Sequence, residues 1–306
     1  MGFYDAIRIG ASGAVDSAFT VDRSLRFNSG DITNLERTFG SAGNRRTWTF
    51  SFWCKRSGIG RTTEIFSPYR GGDGTQESRL FFLNTDELRV YDSGAISGYP
   101  AVRTAAVFRD INAWYHFVVA VDTTQSTASN RIKIYANGVL QELSETTYGN
   151  QNQQLGWNNN QIHRVGAYGY PAQGSLASSN IFDGYFAEVN FIDGQQLTPS
   201  SFAETNATTG QWNPIDTSGL TFGTNGFYLK FADNSGTTAT TLGKDSSGNG
   251  NNFTPYNFSV SAGTGNDSVE DTPTNNFCTL NPLDVFGDGV AEEIKNGNLE
   301  AKNTSG

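Results

Sequence analysis

Apolar side chains recur at every second position through several short stretches of the chain, separated by runs of Gly, Asn, Ser and Thr. In Arg46–Arg56, Trp48, Phe50, Phe52 and Cys54 alternate with Thr47, Thr49, Ser51, Trp53 and Lys55. A period of two places the first set on one face of a β-strand and the second on the other. Cys54 is therefore expected in the core, and Trp53 on the opposite face, either as the cover for a second layer or as an exposed platform. Ala113–Asp122 is apolar on both faces, the pattern of a central strand covered on each side. Arg131–Ala136 and Val139–Leu143 flank Asn137-Gly138, which predicts a hairpin with a type I′ turn, because both turn positions need positive φ. Gly184–Ile192 alternates again and ends at Asp193-Gly194; Asn225–Asp233 predicts a further strand, and Lys244–Asn252 a tight polar loop. One helix of about two turns is predicted at Leu197–Glu204, where Thr198 can cap, Pro199 can take the first helical position and Ser201 with Glu204 has capping-box spacing.

Composition agrees with this pattern. Of 306 residues, 36% are hydrophobic and 13% aromatic, enough for a full core. Only 17% are charged while 35 are Gly, which suits sheets joined by polar turns and predicts an all-β chain. Three parts are expected: an arm at 1–24, a sandwich at 25–260 and, where the apolar content drops, a linker or the opening of a further domain at 261–306.

A net charge of −9 argues against nucleic acid and anionic membranes as partners, since phosphate binders need Lys and Arg. The start, Met1–Asp5, lacks the basic and apolar runs of a signal peptide, and no stretch approaches about 20 apolar residues, so a soluble, unprocessed chain is expected. Two distant cysteines, Cys54 and Cys278, read as free thiols and not as a disulfide framework. With His116 and His163 as the only histidines, zinc sites and Ser-His-Asp machinery are short of parts. His116 lies in an apolar strand and reads as a hydrogen-bonded core histidine, and His163, beside Arg164, as a surface or interface residue. Gly71–Gly74 lacks the Lys-Ser/Thr ending of a phosphate loop and reads as a flexible turn.

The order of the phrases 48–56, 113–122, 131–138 and 182–197 resembles laminin G-like, concanavalin A-like jelly-roll domains over roughly 25–205. The wording at Ser24–Asn28, Arg37–Arg45, Gly226–Phe231 and Lys244–Asn252 is similar to laminin G-like virion proteins of tailed, especially marine, phages. The resemblance implies a two-sheet antiparallel jelly roll whose C-terminal strands, within 225–258, complete the sandwich. It implies a non-enzymatic virion protein, a tail-fibre or other appendage component with a lectin-like surface toward a host glycan. An architectural capsid-decoration or fibre-anchor part is the alternative. It also implies a symmetric homo-oligomer, such as a homotrimer, joined through the arm at 1–24 or through sheet edges, together with contacts to other virion proteins.

Candidate chemistry follows from both sources. The loop Gln151–Gln161 combines Trp157 with amides, the pairing that sugars require, since aromatic faces take C–H patches and amides take hydroxyls. Tyr168, Tyr170 and Tyr99 lie in other loops and extend this candidate site. The same aromatics suit contacts with virion subunits or ordinary packing. No cofactor is required, but many domains of this fold hold calcium on loop oxygens, and Asp183 and Asp245, then Asp233, are the candidate ligands for a structural Ca²⁺. Glu188-Val-Asn-Phe-Ile-Asp193 resembles the Glu-x-Asp-x-x-Glu strand of laminarinase-type glucanases, with Asn190 in place of the middle Asp. A retaining hydrolase needs two carboxyls about 5–5.5 Å apart, so a glucan hydrolase stands as a distant alternative to a half-polar strand ending in a turn.

Overall fold

The alternating run Trp48, Phe50, Phe52 and Cys54 forms the inner face of a ten-residue strand, Thr47–Arg56, at the middle of a sheet. The structure is a computed structural model that describes residues 19–68, 77–93, 98–169, 180–263, 265–282 and 292–303. Across that sheet the strands run Val139–Leu140, Ile132–Ala136, Tyr115–Asp122, Thr47–Arg56, Gly184–Asp193, Ser24–Phe27 and Ser268–Val269, with Phe227–Leu229 also paired to Gly184–Asp193. The facing sheet runs Leu143–Thr147, Ala101–Thr104, Leu88–Asp92, Ser78–Phe82, Thr63–Pro68, Ile162–Val165, Asn34–Thr38 and Thr254–Tyr256. Each sheet has eight strands among the described residues, and the pairings are antiparallel. The chain is an all-β, two-sheet antiparallel sandwich, as the resemblance implied.

The core lies between the sheets. Phe50 of one stacks on Phe66 of the other with ring centroids 4.6 Å apart, and Cys54 is fully buried among these side chains. Tyr115–Asp122 pairs with Thr47–Arg56 on one side and Ile132–Ala136 on the other, the central place its two apolar faces require. Asn137 and Gly138 have φ of 47° and 81°, the two positive values of a type I′ turn.

In Gly184–Asp193 the register against Thr47–Arg56 shifts by one residue between Ala187 and Asn190, a bulge that sets Glu188 at φ 50°. The far edge of this strand is shared end to end: Gly184–Phe186 pairs with Phe27–Leu25, and Val189–Phe191 with Leu229–Phe227.

Two expectations are corrected. The helix at 197–204 is a single 3₁₀ turn, Pro199–Ser201, without a side-chain cap bond. Phe202 instead enters an apolar cluster and Ala203–Thr205 pairs with Trp212–Pro214, so tertiary contacts override the local signals. Within 261–306, expected as a linker or the opening of a further domain, the described residues 265–282 are not a linker. Ser268–Val269 adds a strand to the first sheet, and Asp267 and Asp271 pair with the buried Arg26 and Lys55. Acidic residues that look solvated in the sequence are there to neutralise cations inside the fold. The arm at 1–18 falls outside the described residues; Val21 packs on Trp53, Ala187 and Ala203.

Candidate functional site

The outer face of the first sheet carries a second packing layer. Val118, Ala120, Ile192 and Tyr228 meet Phe202 and Phe222, and Trp53 with Ala187 meets Val21 and Ala203. Trp53 is therefore a cover for a second layer, not an isolated platform. At this layer lies a groove of about 480 Å³ walled by five distant parts of the chain. The strand Thr47–Arg56 supplies Trp53, the entry to the next strand Ala113 and Trp114, and the type I′ turn Asn137. The strand Trp212–Pro214 and its lead-in supply Gln211, Trp212 and Asn213, and the tail supplies Pro273, Thr274 and Asn276.

His116 organises two of these tryptophans from below. Its ring is buried and stacks on Trp53, centroids 4.8 Å apart. Nδ1 accepts the Trp212 indole N–H at 3.0 Å, so Nε2 carries the proton and donates to Ser51 Oγ at 2.9 Å. Burial pushes the imidazole pKa down to about 3, and the ring is neutral. The His116 main-chain N–H donates to Asn137 Oδ1 at 2.8 Å. Gly138 lets Trp212 lie against the turn, since a Cβ there would come within 3.0 Å of the indole ring.

Trp114 is held differently. Its indole N–H donates to Asp271 Oδ1 at 3.0 Å, while Oδ2 accepts from Lys55 Nζ at 2.8 Å. Lys55 is fully buried and also donates to Asn276 Oδ1 at 2.9 Å, tying the tail wall to the sheet. The side-chain amides of Gln211 and Asn213 make no hydrogen bond within the described residues. The groove thus offers indole surface beside unspent amide groups, a combination that can hold sugar rings.

The residues singled out from the sequence lie elsewhere. Trp157 and Tyr168, expected on exposed loops, are fully buried. Trp157 packs 5.3 Å from Trp48 and donates to the Phe66 carbonyl at 3.3 Å. Its polar loop turns inward because interior groups satisfy the backbone: Asp92 accepts the Gly156 N–H at 2.6 Å, and His163 Nε2 accepts that of Asn158 at 3.0 Å. His163 is consequently a buried residue, not a surface one, and burial holds its pKa down near 3. Tyr168 lies under the Arg79 guanidinium, 4.7 Å from its ring centroid. Tyr99 is 41% exposed and edge-on to Tyr91. Tyr170 lies outside the described residues.

The three candidate calcium ligands serve separate networks. Asp183 accepts from Arg61 at 2.6 Å and from Ser29 N–H at 2.6 Å, beside a cavity of about 580 Å³ that reaches the turn Asn296–Asn298. Asp245 accepts from the N–H groups of Tyr228, Ser247 and Asn251 and from the Ser247 hydroxyl, closing its Gly- and Asn-rich loop. Asp233 caps Ser235 at the surface. Among the described residues no three His, Cys, Asp or Glu side chains converge as a metal site.

Glu188 and Asp193 do not pair either. Glu188 points to the outer layer, where its Oε2 accepts from the Tyr228 hydroxyl. Asp193 follows the core-facing Phe191 and accepts from Asn44 N–H at 2.7 Å, Asn158 Nδ2 at 2.6 Å and Asn225 N–H at 3.1 Å. Opposite faces of one strand cannot bring two carboxyls to the spacing of a retaining hydrolase.

Trp114 and Trp212 escaped the sequence reading. They are 98 residues apart, Trp212 in a polar stretch and Trp114 at the start of the apolar run Ala113–Asp122, and only the tertiary contacts through His116 and Asp271 join them.

Residues 29–194 match the family model described as the concanavalin A-like lectin/glucanases superfamily. No curated protein matches the chain. Solved structures that resemble it include a heptameric pentraxin from Limulus polyphemus (16% identity, 60% of this chain and 80% of that one, TM-score 0.44). A candidate carbohydrate-binding protein from Bacteroides ovatus is 15% identical over 78% of this chain and 58% of that one, with a TM-score of 0.49. Domains LG4-5 of the mouse laminin α1 chain are 14% identical over 71% of this chain, which spans half of their length, with a TM-score of 0.43. With more than half of its residues inside the family match and the two-sheet sandwich that the family name denotes, the chain belongs to the concanavalin A-like lectin/glucanases superfamily.

Proposed function

We propose that this chain is a non-catalytic glycan-binding module, carried on the exterior of a tailed-phage virion in an appendage that attaches to the host surface. One observation carries the binding half: the groove in which Trp114 and Trp212, packed over the buried Trp53, converge beside the amides of Asn137, Gln211 and Asn213. Indole faces take the C–H patches of a sugar ring and amides take its hydroxyls, so the site holds a glycan without any group that would cleave it. The virion half rests on the phrases at 24–28, 37–45, 226–231 and 244–252. Binding of the whole chain to immobilised host-surface polysaccharide is the direct test. Retention by the native chain and loss in Trp212→Ala and Trp114→Ala is expected; equal retention by all three would refute the groove as the site.

A second reading, an architectural subunit, is favoured by Val139 and Leu140. They are 64% and 54% exposed on the open edge of the first sheet, a place where strands of neighbouring copies can add. Light scattering is then expected to give a symmetric oligomer that Val139→Lys converts to monomer.

A further inference from the structure

Resting on the glycan-binding reading of the same groove, we infer that its ligand is an electrically neutral pyranose glycan and not an acidic one. Among the described residues, every side chain that lines the groove is uncharged. The titratable groups beneath its floor, Lys55, Asp271 and His116, are turned inward and already paired, and Glu204, opposite Asn213 in the neighbouring strand, is an exposed carboxylate that would repel an anion. Lys55 Nζ has no exposed surface and is held by Asp271 Oδ2 at 2.8 Å, Asn276 Oδ1 at 2.9 Å and the Phe277 carbonyl at 2.5 Å. Asp271 Oδ1 takes the Trp114 indole N–H, and both ring nitrogens of His116 are committed, one to Trp212 and one to Ser51.

A sialic or uronic acid would carry a carboxylate into a site where no cation among the described residues receives it, on a chain of net charge −9. Its desolvation would go uncompensated. A quaternary ammonium is the other class that indole faces attract, but it needs negative charge beside the rings: the Asp271 carboxylate behind Trp114 is neutralised by Lys55, and Glu204 stands opposite Asn213, whereas Trp212 stands opposite Thr205. A neutral ring meets neither obstacle. Hydroxyls donate and accept, as amides do. Gln211 and Asn213 have both capacities unspent within the described residues, and Asn137 has committed only its Oδ1, to His116 N–H.

The test titrates the full chain, by intrinsic tryptophan fluorescence and calorimetry, with cellotetraose, laminaritetraose, chitotriose and lactose as neutral probes. The acidic probes are 3′-sialyllactose and trigalacturonic acid, choline is the cationic one, and each is run at low and high salt. At least one neutral probe is expected to bind with an affinity that salt leaves unchanged, and Trp212→Ala is expected to weaken it about tenfold or more. Gln211→Ala, at an exposed position, serves as the second variant and is expected to weaken the same probe without lowering Tm. Preferential, groove-dependent binding of an acidic probe or of choline would overturn the inference, the acidic case leaving the glycan-binding reading intact. Failure of every sugar to bind would overturn both.

Discussion

Glu188 is a single side chain set against its surroundings. It has a positive φ, is 4% exposed and its Oε2 accepts from the Tyr228 hydroxyl in an apolar layer. Burial pushes its carboxyl pKa up to about 7; the Tyr228 hydrogen bond and Lys230 oppose that rise, and Asp216 and Asp22 add to it. An ordinary glutamate titrates near 4.5, so the folded chain holds this proton more tightly than the unfolded one. Its contribution to stability is fully present below about pH 4.5 and is lost as the pH rises through about 7, on the order of 3 kcal/mol in all. Glu188→Gln, which stays neutral, is expected to flatten that part of the Tm-against-pH curve and to raise Tm at pH 8. A variant curve parallel to the native one would contradict this. From the sequence Glu188 is one polar position in an alternating strand; the bulge that turns it onto the outer face arises from pairing with two partner strands.

At the scale of elements, the hairpin around Asn137-Gly138 was readable because its turn needs two residues with positive φ, a local property. Its second role was not readable. Gly138 faces the Trp212 ring, and Asn137 receives the His116 N–H, so the turn is one wall of the groove. Gly138→Ala meets both a φ of 81° and a Cβ 3.0 Å from the indole. It is expected to cost about 1–2 kcal/mol by denaturant unfolding and to weaken glycan binding by displacing Trp212. Unchanged stability and binding would count against the turn as a wall. The loop Gln151–Gln161 and the turn Pro199–Ser201 failed as sequence readings for one reason. Each has a polar or helical local signature, and an aromatic, Trp157 within the loop and Phe202 directly after the turn, gains more from burial than its neighbours gain from local order.

At the scale of the molecule, the stretch 265–282 is a structural part of the sandwich. Asp271 joins Lys55, Trp114 and the Phe277 N–H, and Asp267 joins Arg26, whose side chain is 2% exposed. Removing one partner of a buried ion pair leaves the other charge uncompensated. Asp271→Ala is therefore expected to lower stability by about 3–5 kcal/mol and to abolish binding at the groove, measured by urea unfolding and by the same titrations. A variant with native Tm would show that Lys55 finds solvent without the tail. The groove and the tail thus form one unit, because the pair that anchors the tail also positions Trp114.

The sequence by itself determined the class of fold, the inner face of the Thr47–Arg56 strand, the central place of Tyr115–Asp122 and the buried, hydrogen-bonded state of His116. These follow from a period of two and from turn residues, which act over a few neighbouring positions. Only the tertiary structure decided which aromatics reach the surface. Trp157 and Trp212 both stand in polar stretches, yet one is enclosed against Trp48 and the other is held at a groove by His116. Exposure depends on what the rest of the chain brings to the other side of a ring. That is settled by pairings between residues far apart in sequence: Trp212 with His116, and Trp114 with Asp271.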